Sequence, residues 1–203
     1  MSALDPRGRI PYALKVGFAL AALVWVVIHL RFYPAATMLW FCAYGNVVIA
    51  VALLLENRLL LSMQSVALLI PQTVWAIDAA WRLFSGARGG GTSYVFDPVL
   101  PLPVRLLSLF HLAGPLLLLY AMTRLGYDAR AWRLQCAAGT AVLLVSTLAG
   151  PLNVNGVHAP LAGADALPPA MHLAAALAVW PLFAWWPAHL LLCRFEKRRA
   201  TLR

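Results

Sequence analysis

The sequence predicts an all-α, polytopic membrane protein: a bundle of six transmembrane helices with both termini on the cytoplasmic side. Three observations predict it. Of 203 residues, 63% are apolar and only 11% are charged, where soluble domains carry roughly 45–50% apolar and about 25% charged residues. The mean hydropathy of +0.79 describes a chain with more apolar surface than a soluble globule can cover. The apolar residues also fall into six runs, each near the roughly 20 residues that cross a hydrocarbon core of about 30 Å. A soluble domain, a disordered chain and a collagen-like fibre are thereby excluded. A transmembrane β-barrel requires alternating apolar and polar residues, and these runs do not alternate.

The first run extends from about Tyr12 to Leu30, after Arg7, Arg9 and Lys15. A basic leader before an apolar stretch also describes a signal peptide. No small-residue cleavage site precedes Arg31-Phe32-Tyr33-Pro34, so the run reads as an uncleaved helix. The second run covers about Ala35–Leu55 and meets the third through the short link Glu56-Asn57-Arg58. The third, about Leu59–Phe84, is long enough to tilt, and Pro71 predicts a kink because it removes a backbone hydrogen bond. A long connection follows, about Ser85–Pro103, with Gly89-Gly90-Gly91 inside it. That run of glycine permits sharp backbone, but it lacks the lysine and the strand of a phosphate loop. Asp97 before Pro98 favours a turn. The fourth run is about Val104–Met122, the fifth about Ala131–Leu152 and the sixth about Ala170–Cys193. In the sixth, Pro181 and Pro187 interrupt a bulky sequence with Trp180, Trp185 and Trp186. Those rings read either as an interfacial belt or as cavity packing. The chain from 1 to 203 is one membrane-embedded domain.

The net charge of +9 comes from 16 basic against seven acidic residues. It does not point to nucleic acid, because the basic residues lie between and beyond apolar runs. It orients the chain and meets anionic membrane lipid. Arg7, Arg9, Lys15, Arg58, Arg124, Arg130, Arg133, Arg194, Lys197, Arg198, Arg199 and Arg203 fall on one side of a six-span arrangement. Arg31, Arg82, Arg88 and Arg105 fall on the other. The positive-inside rule then predicts both termini inside and Gly90 and Gly156 outside. The loop Asn153–Pro169 contains no Lys or Arg, as a translocated loop should. The tail Arg194-Phe195-Glu196-Lys197-Arg198-Arg199 reads as a stop-transfer anchor. Cys42, Cys136 and Cys193 sit in apolar runs without metal-type spacing and read as small core hydrophobes.

Polar groups in hydrocarbon need a reason. On the third helix Gln64, Leu68, Pro71, Trp75, Asp78 and Arg82 fall within about 80° of one another at 100° per residue. Asp78 and Arg82, spaced i,i+4, are expected to pair. On the fourth helix Ser108 and His111 are spaced i,i+3, with His111 about 10–12 Å below the outer surface at 1.5 Å per residue. His172 lies near the outer mouth, His29 ends the first helix on that side, His158 is in the outer loop, and His189 is near the inner end. The sharpest site hypothesis places Asp78, His111 and Ser108 in catalytic roles. Gln64, Gln72, Trp75, Arg82 and His172 would contact substrate in an outward-opening polar cavity. Histidines with a carboxylate suit Zn²⁺ or general acid–base chemistry. No compact metal motif or cofactor motif is present, so metal and cofactor stay open. Asn46, Gln64, Gln72 and Gln135 are otherwise expected to hydrogen-bond between helices.

Leu39-Trp40-Phe41-Cys42, Leu61-Ser62-Met63-Gln64, Pro71-Gln72 with Trp75 and Asp78, Leu107-Ser108-Leu109-Phe110-His111, and Leu125-Gly126-Tyr127-Asp128-Ala129-Arg130-Ala131 together resemble an uncharacterised family of bacterial polytopic membrane proteins. That resemblance implies architecture rather than mechanism. Pro71-Gln72 is similar to the signature of PQ-loop transporters, which consist of three-helix repeats joined by a linker helix. Here the pair occurs in a third helix, without a second copy or a linker. Ser108-Leu109-Phe110-His111 resembles the Ser and His of the zinc-dependent membrane hydrolases that include ceramidases and progestin-type receptors. Those have a longer Ser-to-His spacing and a paired His-x-x-x-His, whereas His172 and His189 here are seventeen residues apart.

Three function classes follow. The chain binds or transports a small amphiphile through an outward cavity; or it is a membrane-embedded lipid hydrolase or transferase using His111 and Asp78; or it is a structural subunit or assembly factor that meets other membrane subunits.

Overall fold

The computed structural model describes residues 10–86, 91–158 and 168–201. Arg7, Arg9, Arg88, Gly89, Gly90 and Arg203, used above for charge and loop, lie outside them. The described residues are helical and contain no strand. The helices are α1 (Tyr12–Phe32), α2 (Phe41–Leu54), α3 (Arg58–Ser85), α4 (Leu102–Leu107), α5 (Phe110–Leu125), α6 (Ala131–Ser146), α7 (Pro169–Val179) and α8 (Trp186–Thr201). A π-helical segment, Trp180–Trp185, joins α7 to α8. Among the described residues five stretches are long and apolar enough to cross a membrane: Tyr12–Phe32, Arg58–Ser85, Leu102–Leu125, Ala131–Leu152 and Ala170–Thr201.

The second expected span is the exception. Its apolar run breaks at Trp40, whose ψ of 134° is extended. Before that break lies one 3₁₀ segment, Ala35–Leu39. After it, α2 has 14 residues and rises about 21 Å. Hydropathy does not register this break because Trp40 and its neighbours are all apolar. The other differences are also backbone events inside apolar runs. Ser108 and Leu109 separate α4 from α5. The fifth span becomes 3₁₀ after Ser146, and Gly150 turns it at φ +54°. The tail Arg194–Arg199 continues α8 rather than following it.

Helix α3 is the hub, packed against α2, α5, α6 and α8. In its most apolar stretch 44% of residues are buried, against 17% for the peripheral α1. Asn57 caps its start by accepting from Leu60 N–H at 3.0 Å. Gly86 ends it in the left-handed region at φ +67°, where glycine meets no Cβ penalty. The helix runs through Pro71 without interruption.

Without a hydrophobic force between helices in lipid, close packing depends on small residues at contacts. At Gly139 a Cβ would lie 2.1 Å from the Trp185 ring. Trp185 is fully buried and meets Phe41 edge-on at 5.4 Å, so it is core rather than belt. Trp186 packs against Trp132 at 4.9 Å.

Candidate functional site: an aromatic cavity at one end of the bundle

One end of the bundle is latched by charge. Glu56 accepts from Lys15 Nζ and from Ile10 N–H, both at 3.0 Å. Arg58 donates to the Tyr127 carbonyl. Glu196 on α8 accepts from Tyr127 N–H at 2.9 Å and from Arg199 at 3.0 Å, and Arg199 reaches the Thr123 carbonyl at 3.1 Å. The Tyr127 hydroxyl meets His189 Nδ1 at 2.7 Å, and Asp128 N–H donates to Ser62 Oγ at 3.0 Å. In this α5–α6 turn the Arg130 guanidinium holds the Asp128 carboxyl below its ordinary value.

The other end encloses a cavity of about 490 Å³, within the range of small-molecule sites. Its walls come from the end of α1, the middle of α3, α4, the starts of α2 and α5, the segment around Tyr94, the turn at Asn153–Asn155 and Trp180. On one wall His29 is stacked between Trp25 at 4.6 Å and Tyr33 at 4.9 Å, with Trp40 edge-on at 6.1 Å. On another, His111 stacks on Trp75 at 4.6 Å and touches Phe110 at 4.0 Å. Phe41 and Trp180 form an edge-on pair at 4.7 Å. Ring pairs in these offset and edge geometries hold a wall rigid beyond their area burial.

Asn155 fixes the floor of this end. Trp40 supplies no cap for α2, so the Phe41 N–H needs an acceptor from elsewhere. The Asn155 Oδ1, 114 positions away in sequence, provides it at 3.1 Å. The same amide donates to the Leu39 carbonyl at 2.9 Å and Ser146 Oγ at 3.2 Å. Its φ of +57° is tolerated because asparagine visits the left-handed region more readily than bulkier residues.

Of the residues singled out from sequence, Gln72, Trp75, Ser108 and His111 line the cavity. Gln64, Asp78, Arg82 and His172 are not among its lining residues. The expected Asp78–Arg82 pair forms at 3.1 Å. Asp78 also accepts from Thr92, at 2.6 Å from the hydroxyl and 2.9 Å from the N–H. His111 makes its hydrogen bond to the Ser108 backbone carbonyl, at 2.9 Å. His172 is buried on α7. Among the described residues no three His, Cys, Asp or Glu side chains gather as metal ligands, so Asp78, His111 and His172 do not form such a set. The interhelical hydrogen bonds expected of Gln64 and Gln72 are missing at their oxygens: Gln64 Oε1 and Gln72 Oε1 are buried without a partner. Gly156 is buried in the turn after the fifth span.

Sequence reasoning did not place Trp25, Tyr33, Trp40, Tyr94, Phe110, Asn155 or Trp180 in one site. The one available signal was the clustering of aromatics near helix ends on the side opposite most basic residues, which an interfacial belt also produces. Comparison with protein-family models, with curated proteins and with solved structures finds no match to this chain.

Proposed function

We propose that this integral membrane protein binds a small amphiphilic molecule in the aromatic cavity. The single observation that carries this reading is the cavity itself: about 490 Å³, walled largely by aromatic rings, with two imidazoles, three carboxamides and three hydroxyls among its lining residues. A ligand that fits must be mostly apolar with a small polar head. We further read α2 as a short sixth crossing, with the latched end inside a bacterial inner membrane and the cavity end outside. The charge asymmetry supports that orientation: Lys15, Arg58, Arg124, Arg130, Arg133 and the α8 cluster sit toward the latched end, and Arg31, Arg82 and Arg105 toward the other. Surrounding lipid is both the solvent of the bundle and the reservoir for such a ligand.

The hydrolase reading has less support. His111 spends Nδ1 on a backbone carbonyl rather than on the Ser108 hydroxyl, and Asp78 is engaged by Arg82 and Thr92.

The test compares small molecules that co-purify with the wild-type protein and with a cavity-filling variant, Leu107→Trp. Solvent extraction and mass spectrometry should find one amphiphile enriched on the wild type and depleted at least tenfold on the variant. Identical extracts from two equally folded proteins would remove the binding reading.

A further inference from the structure

The cavity's hydrogen-bonding groups are unevenly spent, and the imbalance describes the head group that fits. Three of its four tryptophans donate their indole N–H into the protein. Trp25 donates to the Leu107 carbonyl at 3.2 Å, Trp75 to the Tyr94 hydroxyl at 3.2 Å and Trp180 to the Asn155 carbonyl at 3.3 Å. The imidazole of His111 is different. A carbonyl only accepts, so the contact between Nδ1 and the Ser108 carbonyl at 2.9 Å requires the proton on Nδ1. In the neutral ring Nε2 is then a bare acceptor.

Gln72 is its counterpart. The residue is 1% exposed and lines the cavity. Its Oε1 is buried without a hydrogen-bond partner, pressed 2.3 Å from where a Cβ on Gly114 would stand. The amide nitrogen keeps its donors. The two groups are neighbours by construction. Trp75 on α3 stacks on His111 of α5, and Gln72, three residues before Trp75, meets Gly114, three residues after His111. Along the helix axes the levels of His111 and Gln72 are thus offset by about 4.5 Å, the rise of three residues.

Among the described residues no carboxylate lines the cavity, and Asp78, one turn from Trp75, is committed to Arg82 and Thr92. A cationic head would find rings but no counter-charge. A carboxylate or phosphate head would meet the bare Nε2 lone pair. A neutral hydroxyl satisfies both groups: its O–H donates to an acceptor while its oxygen accepts from an N–H.

Resting on the binding reading above, we propose that the cavity selects an uncharged, hydroxyl-bearing amphiphile, whose hydroxyl donates to His111 Nε2 and accepts from the Gln72 amide. Two lipid sources share this chemistry, prenyl alcohols and hydroquinones with an apolar tail.

The test uses the full chain in detergent and titrates five probes by native mass spectrometry: geranylgeraniol, its methyl ether, a decyl-substituted benzohydroquinone, its dimethyl ether, and geranylgeranylamine. At least one hydroxyl probe should bind tenfold or more tighter than its ether. Which one does so identifies the source, and tight binding of both assigns the shared head chemistry. His111→Phe keeps a stacked ring and loses the acceptor, so it should shrink the alcohol-to-ether ratio to twofold or less. Gln72→Leu serves as the second variant should the first fail to fold, and the wild-type ratio stands without either. Equal binding of ethers and parents overturns hydroxyl selection while leaving amphiphile binding intact. Tighter binding of the amine than of the alcohol overturns neutrality. Binding of none of the five overturns the proposal, and the co-purification comparison with Leu107→Trp then decides separately whether the cavity holds anything.

Discussion

At the latched end, Glu56, Arg58, Glu196 and Arg199 tie the N-terminal segment, α3, the α5–α6 turn and α8 together through charged hydrogen bonds. The joints that line the cavity at the other end are neutral, indole N–H groups on carbonyls, stacked rings and one asparagine capping a helix from far along the chain, and the Asp78–Arg82 pair at that end stands outside the lining. The contrast separates holding from receiving. A charged joint at a membrane face is partly hydrated, tolerant of solvent and rigid enough to fix helix ends. A neutral aromatic wall tolerates an apolar guest, because exchanging lipid or void for ligand breaks no ion pair. The comparison can be broken or sharpened at each end.

The largest effect concerns which end faces out. In a background lacking the three native cysteines, Val99→Cys, at a strongly exposed cavity-end position, should react fully with a membrane-impermeant thiol reagent in intact cells. Arg130→Cys, in the exposed turn of the latched end, should react only after lysis. The reverse pattern would invert the orientation.

The next effect is on stability at the cavity end. Asn155→Ala strands the Phe41 N–H and the Leu39 carbonyl in a buried place, a loss of roughly 3 kcal/mol. The melting temperature in detergent should fall by several degrees. Asn155→Gly, which accommodates the positive φ but restores no hydrogen bond, should fall with it. Recovery in the glycine variant would mean that backbone conformation, not capping, is the role of Asn155.

A smaller effect is expected at the latch. Gly126 ends α5 at φ +83° and ψ 169°, a region open essentially to glycine alone. A Cβ there would stand 2.4 Å from Arg199 Nη2, and a flexible guanidinium can move aside. Gly126→Ala should therefore cost about 2 kcal/mol, mostly backbone strain, while leaving probe binding in the cavity unchanged. Loss of binding in this variant would show that the two ends are coupled.

How much of this was legible in the sequence depends on whether the cause is local. Helix α3 was read within a residue at each end from its apolar run, and the structure adds caps, Asn57 and Gly86, that are equally local. The i,i+4 spacing of Asp78 and Arg82 likewise foretold their pair. The break at Trp40 was not legible, since the cap that permits it is supplied by Asn155 from another part of the chain. The glutamines misled for a related reason: expected to hydrogen-bond between helices, Gln64 and Gln72 instead pack their oxygens against Gly45 and Gly114. Of the polar residues grouped by depth, Ser108 and His111 reached the cavity while Asp78 and His172 did not join its lining. Depth along a helix follows from counting; the direction a side chain faces across helices requires the packed bundle.

The central claim is that the ring-walled cavity, and not the lipid-facing surface, holds an amphiphile. Photolabelling tests it most directly. The protein in lipid nanodiscs is irradiated with a diazirine-bearing fatty alcohol, with and without excess unlabelled alcohol, and the adducts are mapped by peptide mass spectrometry. Labelling of Trp25, Trp40, Tyr94 and Phe110 that competitor abolishes is the predicted result. Labelling confined to lipid-facing positions such as Leu23, Ile77 and Leu116, and unaffected by competitor, would contradict it.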